Sequence, residues 1–498
     1  MRTARVILND AAEPPFRGSP SIINAFMNDT LRDLGYELSC SYGRRVWREI
    51  GTFIPVPEAH QVLRLQSDPI FDLEVRCNVS VVQFPLLRRG TQKNVVFFHA
   101  LVGYPGNWLG NDAVDGYWCN SDYMTRVVTS LLATPAWDRG RLLEPRAFSV
   151  AGTVTLPLPF LELPEGVLKD GPENLPRAAL EALEGNDILG HCVVGKLDEK
   201  AVYSIMLALN HMALQSGTGR RFRLFVERIL YDGIKGILEN ADREDLPPEF
   251  LPINTALGQL GLTIDDILIP IPRLAQASLF KVIAACRFAL LYHWVPEPFG
   301  LLPLESVCLG CPVYTNGAGN LRYLVPEGHG ISVFETEKMA LGDLNEYQKV
   351  AQRIFQDAVV DPEPVREACR RGAEHIARTY NREAMRRDLA ARLADLDEPP
   401  AETDLDATVL GLSPLVRSWN PATRRVVSDY KSSELTVDEA ALLGEILGQS
   451  CAGLSAGFRK DPALRETVER LFQQGVLAVF PSAPPAPATH LDERHGVH

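Results

Sequence analysis

The chain has 498 residues, which is enough for two or three domains with buried cores. Its composition, 46% hydrophobic and 23% charged, is that of an ordinary globular protein. A net charge of −13 argues against broad binding to nucleic acid or to anionic membranes. No uncharged apolar run reaches the roughly 18 residues of a membrane helix. Residues 1–10 read as a first strand rather than a signal peptide, and we expect a cytoplasmic protein.

The nine cysteines are scattered through apolar segments and are expected to be reduced core residues. Cys308-x-x-Cys311 has the spacing of zinc ligands, but no second such pair and no histidine pair accompanies it. The sequence therefore predicts no metal site there.

Residues 1–185 alternate between strand-like and helix-like patterns. Val6–Leu8 predicts a first strand, and apolar positions from Ile22 to Leu34 lie on one helical face. Asn94–Phe98 predicts a further strand with His99 at its end. Such alternation favours a mostly parallel, doubly wound sheet.

Residues 186–395 alternate in the same way and contain two notable carboxylates. Arg287–Tyr292 is continuously apolar, as central parallel strands are. Glu297 would follow this strand, and Gly300 would open a helix whose free amides and dipole suit a phosphate. Glu305 stands alone in an apolar run, where a buried carboxylate needs a partner. Spacing alone favours a structural explanation, with Glu297 capping a helix and Glu305 half exposed.

The residues around these carboxylates resemble the donor-site signature of retaining GT-B glycosyltransferases, most closely the family 4 group. The resemblance rests on Glu297-Pro-Phe-Gly-Leu-x-x-x-Glu305, then Gly310-Cys-Pro-Val, then a glycine turn at Asn316–Gly319. It implies an α/β fold of the GT-B type, with two Rossmann-like, doubly wound domains facing a cleft. A small α+β domain would follow at the C-terminal end.

The resemblance also assigns roles to individual positions. Glu297 would contact hydroxyls of the transferred sugar, and Glu305 would bind the nucleotide ribose. The backbone around Phe299, Gly300 and Leu301 would face the sugar and the phosphates.

Four upstream positions complete the implied site. Lys196 and Lys200, after a predicted strand, would clamp the diphosphate, although two solvated lysines at a helix start explain the same pattern. Gly18 resembles half of a glycine pair that approaches the donor phosphates. His99 resembles the family's histidine near the sugar and the acceptor, the alternative being an ordinary loop histidine. The candidate catalytic residues are Glu297, His99 and Lys200.

Two segments depart from the family pattern. Glu227-Arg228 stands where the family often has a glycine turn, and Asn320-Leu321-Arg322 stands where a glutamate often follows. These departures leave the identity of the nucleotide base undetermined.

The C-terminal part predicts a small accessory domain. We expect an acceptor-side domain at 1–185, a donor domain at 186–395, a linker at 396–408, the accessory domain at 409–481 and a disordered tail at 482–498. Thr436-x-x-Glu439 is a capping box, and Asp461-Pro462 opens another helix. The pattern resembles a winged-helix or PqqD-like peptide-recognition module, but a structural extension or dimer contact explains it equally well.

The resemblance implies a retaining, hexosyltransferase-like enzyme. It would move a sugar from a nucleotide-diphosphate sugar to a nucleophile on a peptide, a glycan or a small molecule. We expect no metal or other cofactor because cationic side chains take the place of the metal. The partners would be the nucleotide sugar and an unknown acceptor, for which a peptide held by the C-terminal domain is one candidate. We expect no nucleic acid, and oligomer formation stays open. The alternative is a catalytically silent scaffold that binds a nucleotide sugar or a protein.

Overall fold

The computed structural model describes residues 2–8, 12, 19–42, 69–77, 88–99, 113–133, 153–155, 168, 175–193, 198–240, 251–293, 295–334, 344–397, 408–429, 432–450, 454 and 461–480. The chain divides into two compact units. The first unit comprises Met1–Asp10, Asn28–Pro157 and Arg386–His498, and the second comprises Ala11–Met27 and Leu158–Met385. Nothing in this division tests the predicted domain bounds, which stay predictions.

A parallel sheet lies at the centre of the first unit. Its described strands are β1 (Arg2–Leu8), β2 (Tyr36–Tyr42), β3 (Leu73–Cys77), β4 (Lys93–Phe98), β5 (Gly116–Cys119) and β6 (Thr153–Thr155). They pair in parallel in the order β2-β1-β3-β4-β5-β6. β1 and β4 confirm the strands predicted at Val6–Leu8 and Asn94–Phe98.

Two helices accompany this sheet in the chain, α1 (Ser19–Asp33) and α2 (Asp122–Ala133). The apolar face predicted for α1 is buried, at Ile22, Ile23, Phe26, Met27 and Leu31. The 3.6-residue period therefore identified the helix and its inward face.

A second parallel sheet lies in the second unit. Its described strands are β7 (Ile188–Cys192), β8 (Phe222–Glu227), β9 (Leu268–Ile271), β10 (Phe288–Leu291), β11 (Val313–Thr315) and β12 (Ile331–Val333). They pair in parallel in the order β12-β11-β10-β7-β8-β9. β10 confirms the strand predicted at Arg287–Tyr292.

The helices described in this half of the chain follow the strands in sequence. They are α3 (Arg177–Glu184), α4 (Glu199–Gln215), α5 (Arg228–Asn240), α6 (Leu251–Leu260), α7 (Ile264–Ile267), α8 (Gln276–Ala285), α9 (Leu301–Cys308), α10 (Leu344–Phe355), α11 (Glu363–Thr379) and α12 (Arg382–Asp395). A short 3-10 turn at Asn320–Arg322 and a π turn at Gln356–Val360 complete the described helical segments.

The strand order of the second sheet reverses between β7 and β10. β8 and β9 extend the sheet on one side, and β11 and β12 extend it on the other. The loops that follow β7 and β10 consequently leave the same edge of the sheet side by side. The backbone N–H of Asp198 donates to the carbonyl of Tyr292 across this gap at 2.6 Å. Such a switch point is where open α/β sheets collect ligands.

The described C-terminal residues form small antiparallel sheets and two helices. The elements are β13 (Val409–Leu412), β14 (Val416–Asn420), β15 (Arg425–Ser428), β16 (Ser432–Glu434), α13 (Val437–Ile446), α14 (Pro462–Gln473) and β17 (Leu477–Phe480). β13 pairs with β17, and β14-β15-β16 form a separate sheet. The capping box of Thr436 and Glu439 and the Asp461 cap of α14 are both confirmed. The tail at 482–498 lies outside the described residues, as does most of the predicted linker.

A buried polar cluster joins this C-terminal part to α2 within the first unit. The hydroxyl of Tyr123 donates to Asp429 Oδ2 at 2.9 Å, and Arg417 Nε donates to Asp429 Oδ1 at 2.7 Å. The Asp429 side chain is fully buried. The C-terminal part is therefore packed onto the core of the first unit.

The mostly parallel α/β class predicted from the sequence is confirmed. Among the helices that the structure describes, none combines the length and the apolar character needed to cross a bilayer.

Candidate functional site

The loop between β10 and α9 carries Glu297 and is held by the segment that follows β11. The backbone N–H of Glu297 donates to the carbonyl of Ala318 at 3.3 Å. Asn320 N–H donates to the Glu297 carbonyl at 2.8 Å, and its side-chain Nδ2 donates to the Phe299 carbonyl at 2.8 Å. The backbone of the loop is therefore hydrogen-bonded to the segment after β11 at Glu297 and again at Phe299.

Two glycines let the backbone pass through this region. Gly319 has φ +65°, and a Cβ there would lie 2.5 Å from the carbonyl oxygen of Glu297. Gly300 has φ +103°, and a Cβ there would lie 2.8 Å from Leu324 Cδ1. Both positions need left-handed backbone and close approach, which only glycine supplies without strain.

Asn316 holds the start of the same loop. Its Nδ2 donates to the His293 carbonyl at 2.8 Å, and its Oδ1 accepts from the N–H groups of His293 and Ala318, each at 3.3 Å. The Asn316 side chain therefore hydrogen-bonds to backbone groups of His293 and Ala318, just after β10 and β11 end.

The Glu297 carboxylate is left accessible at the end of this tied loop. Its side chain is 26% exposed, and Oε2 lies 3.7 Å from Nδ1 of the buried His293. The N-cap residue of α9 is Gly300 rather than Glu297. The structural explanation of Glu297, as a residue that only supports the start of this helix, stays an alternative.

Phe299 and Leu301 point into the core. The Phe299 ring packs edge-on against Tyr380 with 5.6 Å between centroids, and Tyr380 donates to the Leu324 carbonyl at 2.8 Å. A ligand at this edge would meet the backbone of these residues, beside the amino end of α9.

Glu305 lies on α9 and is buried rather than half exposed, at 5% relative exposure. Gln276 Nε2 donates to its Oε1 at 2.5 Å. Burial raises the pKa of the Glu305 carboxyl to about 7, and the Gln276 hydrogen bond offsets part of that rise. The carboxyl group consequently titrates near neutral pH, where a hydrogen-bonding ligand shifts its protonation.

A buried histidine ties the same helix to the central strand. Ser306 Oγ donates to the Leu302 carbonyl at 2.8 Å and lies 3.1 Å from His191 Nε2 on β7. Burial lowers the pKa of His191 to about 3, so the imidazole is neutral. This contact positions the helix that carries Glu305.

The predicted phosphate-binding residues are described only in part. Lys200 lies in the first turn of α4, which Asp198 caps by accepting from Ala201 N–H at 3.2 Å. The Lys200 side chain, Lys196 and Gly18 lie outside the described residues. The position of Lys200 in the chain nevertheless places it at the start of the helix that follows β7.

His99 belongs to the first unit and directly follows β4. It is 5% exposed, and burial lowers its pKa to about 4. Asn120, one residue past β5, donates from Nδ2 to the His99 carbonyl at 3.2 Å. His99 therefore lies at the carboxyl end of β4, the position predicted for it. Its low pKa makes the imidazole neutral.

The structure also describes the two segments that depart from the family pattern. Glu227 ends β8, and burial raises its pKa while the charge of Arg273 lowers it. The guanidinium of Arg322 lies over the Tyr323 ring, 5.1 Å from its centroid. Within the described ranges no three His, Cys, Asp or Glu side chains group closely enough to hold a metal ion.

Sequence reasoning missed the contributions of Gln276 and His293 to this edge, together with the structural roles of Asn316 and Asn320. Asparagine on either side of a glycine turn is a signal for side-chain bonds to backbone. Nothing in the sequence marks Gln276, whose partner lies 29 positions away.

No protein-family model and no curated protein sequence matches the chain. Solved structures do resemble it. A structure described as OtsA in its apo form has 13% identity, covers 80% of this chain and 100% of its own, and gives a TM-score of 0.53. A structure from E. coli, described as trehalose-6-phosphate bound with UDP-2-fluoro glucose, has 15% identity, 80% and 100% coverage, and a TM-score of 0.51. A glycosyltransferase from Rickettsia africae ESF-5 has 9% identity, 80% and 99% coverage, and a TM-score of 0.50.

These likenesses, at identities this low, establish the fold. With its two parallel, doubly wound sheets, the chain has the GT-B fold. The prediction of this fold class is confirmed.

Proposed function

We propose that the chain is a retaining glycosyltransferase that uses a nucleotide-diphosphate sugar. The observation that carries the proposal is Glu297, an accessible carboxylate on a tied backbone loop at the switch point of a parallel sheet. Further support comes from two of the similar proteins: one is described as a glycosyltransferase, and one is bound with UDP-2-fluoro glucose.

In this proposal different residues of the second unit contact different parts of the donor. Glu297 accepts hydrogen bonds from hydroxyls of the transferred sugar, and Glu305 accepts them from the ribose. Backbone amides at the amino end of α9, with Gly300 and Leu301, face the phosphates.

Catalysis would stabilise the charge that grows on the departing diphosphate. Lys196 and Lys200 carry this role, supported by their resemblance to the family's basic residues and by the start of α4 at this edge. One preorganised donor of this kind is typically worth a few kcal/mol. The bond from the anomeric carbon to the diphosphate breaks, and the acceptor oxygen bonds to the same face. The acceptor proton passes to a phosphate oxygen of the leaving group.

The same cations would make a metal ion unnecessary, and we propose activity without one. We also propose a reducing compartment such as the cytoplasm, supported by the cysteines: none of the eight that the structure describes is in a disulfide. Treatment with EDTA followed by Mn²⁺ addition tests the first point, because an enzyme that needs metal would lose activity and regain it.

The function is tested with a panel of UDP-, GDP- and ADP-sugars. We expect at least one donor to raise the Tm and to release its nucleoside diphosphate slowly in water. The anomeric proton coupling of the first-formed sugar, followed by NMR, should match that of the donor. No release and no Tm shift with any donor would overturn the proposal in favour of a silent scaffold. Release with inverted configuration would overturn the retaining mechanism alone.

A further inference from the structure

A buried histidine lies beside the carboxylate on which the proposed function depends. His293 is 3% exposed, and its Nδ1 lies 3.7 Å from Oε2 of Glu297. This separation is longer than a hydrogen bond but within the range of an ion pair. The imidazole and the carboxylate are therefore close enough to attract each other.

One segment of the chain fixes the backbone of both residues. Asn316 donates from Nδ2 to the His293 carbonyl at 2.8 Å and accepts at Oδ1 from the His293 N–H at 3.3 Å. Glu297 donates from its backbone N–H to the Ala318 carbonyl at 3.3 Å and accepts at its carbonyl from the Asn320 N–H at 2.8 Å. The segment after β11 therefore sets the backbone positions of the histidine and the glutamate relative to each other.

A fixed backbone does not by itself fix the two oxygens of a carboxylate. The last torsion of a glutamate side chain is broad and roughly two-fold, so the carboxylate plane needs a partner to hold it. A partner at Oε2 narrows that torsion and thereby sets the position of Oε1. Groups at a functional site must be held within about 0.5 Å of the productive geometry, so this restriction matters for binding.

The chemistry and the burial of His293 suit this task. A ring nitrogen that carries a hydrogen attracts a carboxylate oxygen, and Nδ1 carries one in the imidazolium and in one of the two neutral tautomers. The side chain of His293 is 3% exposed and that of Glu297 is 26% exposed. The histidine therefore holds the carboxylate from its protein side, and a ligand meets the carboxylate from the solvent side.

We propose that His293 is a positioning residue, which orients the Glu297 carboxylate toward a hydroxyl of the donor sugar. The inference rests on the proposed function, in which Glu297 binds that hydroxyl, and it concerns two residues of the second unit. His293 itself does not contact the donor. The competing explanation is a buried histidine that only fills space.

Three substitutions separate the nitrogen from the ring. His293→Leu removes the polar atoms of the side chain, His293→Asn keeps an N–H group at the δ position, and His293→Gln moves it one bond further out. We expect hydrolysis at saturating donor to fall about 10-fold in His293→Leu and His293→Gln, the loss typical of one hydrogen bond to a charged group, and about 3-fold or less in His293→Asn. Affinity for the nucleoside diphosphate, which lacks the sugar, should not change in any of them.

A double-mutant cycle with Glu297→Ala shows whether His293 acts through the carboxylate. His293→Leu should slow the wild type but leave the residual rate of Glu297→Ala unchanged, because no carboxylate remains to be oriented. A further 10-fold loss in that background would overturn the proposal. Asn210→Leu controls for lost stability, because Asn210 is buried in the same unit and donates to the Met206 and Phe222 carbonyls. It should lower the Tm without slowing hydrolysis by the folded protein.

The remaining outcomes distinguish this proposal from the proposed function. An unchanged rate in His293→Leu, or equal losses in all three His293 variants, would overturn the positioning role while the proposed function stands. If wild type binds and hydrolyses no donor, the proposed function fails. The contact is then decided by urea unfolding of His293→Leu, Glu297→Ala and the double variant. A double variant that loses less stability than the sum of the two singles supports the contact, and additive losses would overturn it.

Discussion

The carboxyl edges of the two sheets are built differently. In the second unit, Asn316, Asn320 and the glycine turn satisfy the backbone of the loop that carries Glu297. In the first unit, His99 and Asn120 keep unused polar atoms within the described chain. The backbone of the loop that carries Glu297 is therefore held by hydrogen bonds before any ligand arrives.

The hydrogen bonds of the second unit have a consequence for ligand binding there. A tied loop pays little conformational entropy when a ligand arrives, so Glu297 is preorganised. The predictions below test the carboxyl edge of the second sheet.

The largest effect is expected from Glu297→Ala. The side chain is 26% exposed, and the loop backbone is hydrogen-bonded at the Glu297 N–H and carbonyl, so the fold should persist. Transfer or donor hydrolysis should fall by about 100-fold or more, as for other preorganised groups at a reacting centre. Steady-state rates and Tm are measured together, with exposed Glu363→Ala as the control. Unchanged rates in Glu297→Ala would contradict the site.

Gly319→Ala should destabilise the second unit, because the new side chain would clash with the backbone of Glu297. The new Cβ would lie 2.5 Å from the Glu297 carbonyl oxygen and 2.6 Å from its nitrogen, so the loop must move. We expect a loss of about 2–4 kcal/mol in the free energy of unfolding, together with loss of donor binding. Gly310→Ala is the control, because Gly310 has φ +77° but open space around its Cβ. Equal losses in both variants would show that φ alone matters.

Asn320→Ala separates loop positioning from stability. The variant loses the hydrogen bond to the Phe299 carbonyl and should be destabilised by about 1–2 kcal/mol, with about a 10-fold loss of donor affinity. Asn210→Ala is the matched control, because Asn210 donates to the Met206 and Phe222 carbonyls away from the site. Urea titration and donor titration should show similar stability losses but an affinity loss only in Asn320→Ala. Normal affinity in Asn320→Ala would refute its positioning role.

The smallest effect is a pH dependence that Glu305 gives to donor binding. Its pKa is raised to about 7, so the folded, unliganded protein holds a proton that the unfolded chain would release. Stability from this group consequently falls as pH rises from about 4.5 to 7. A ribose hydroxyl that donates to the carboxylate favours the charged form. Affinity should therefore rise about tenfold between about pH 6 and pH 8 and then level off.

Glu305→Gln serves as the control for this dependence. It keeps an acceptor oxygen but does not titrate, so affinity should be nearly flat over the same range. A slope that persists in Glu305→Gln would assign the dependence to another group.

The fold was predictable where a local residue pattern is compatible with only one kind of secondary structure. Alternating apolar strands and helices predicted both sheets, and Asp461-Pro462 predicted the start of α14. At the site, the local order of Glu297, Gly300 and Glu305 was enough to place a loop and a helix start after β10.

What could not be predicted depends on partners that are distant in sequence. The contact of Glu305 with Gln276 follows from which helices pack together, and the contact of Asn120 with His99 follows from which strands become neighbours. A single sequence gives the strands but not their order, so these pairs had no local signal. The packing of Tyr123 against Asp429 across 306 positions is of the same kind.

Hydrogen–deuterium exchange with and without a nucleotide sugar tests the central claim most directly. If the carboxyl edge of the second sheet binds the donor, peptides that cover 292–305 and 316–320 should exchange more slowly when it is present. The same peptides in Glu297→Ala should show little protection at the same donor concentration. Protection confined to other segments, with 292–305 unchanged, would contradict the account.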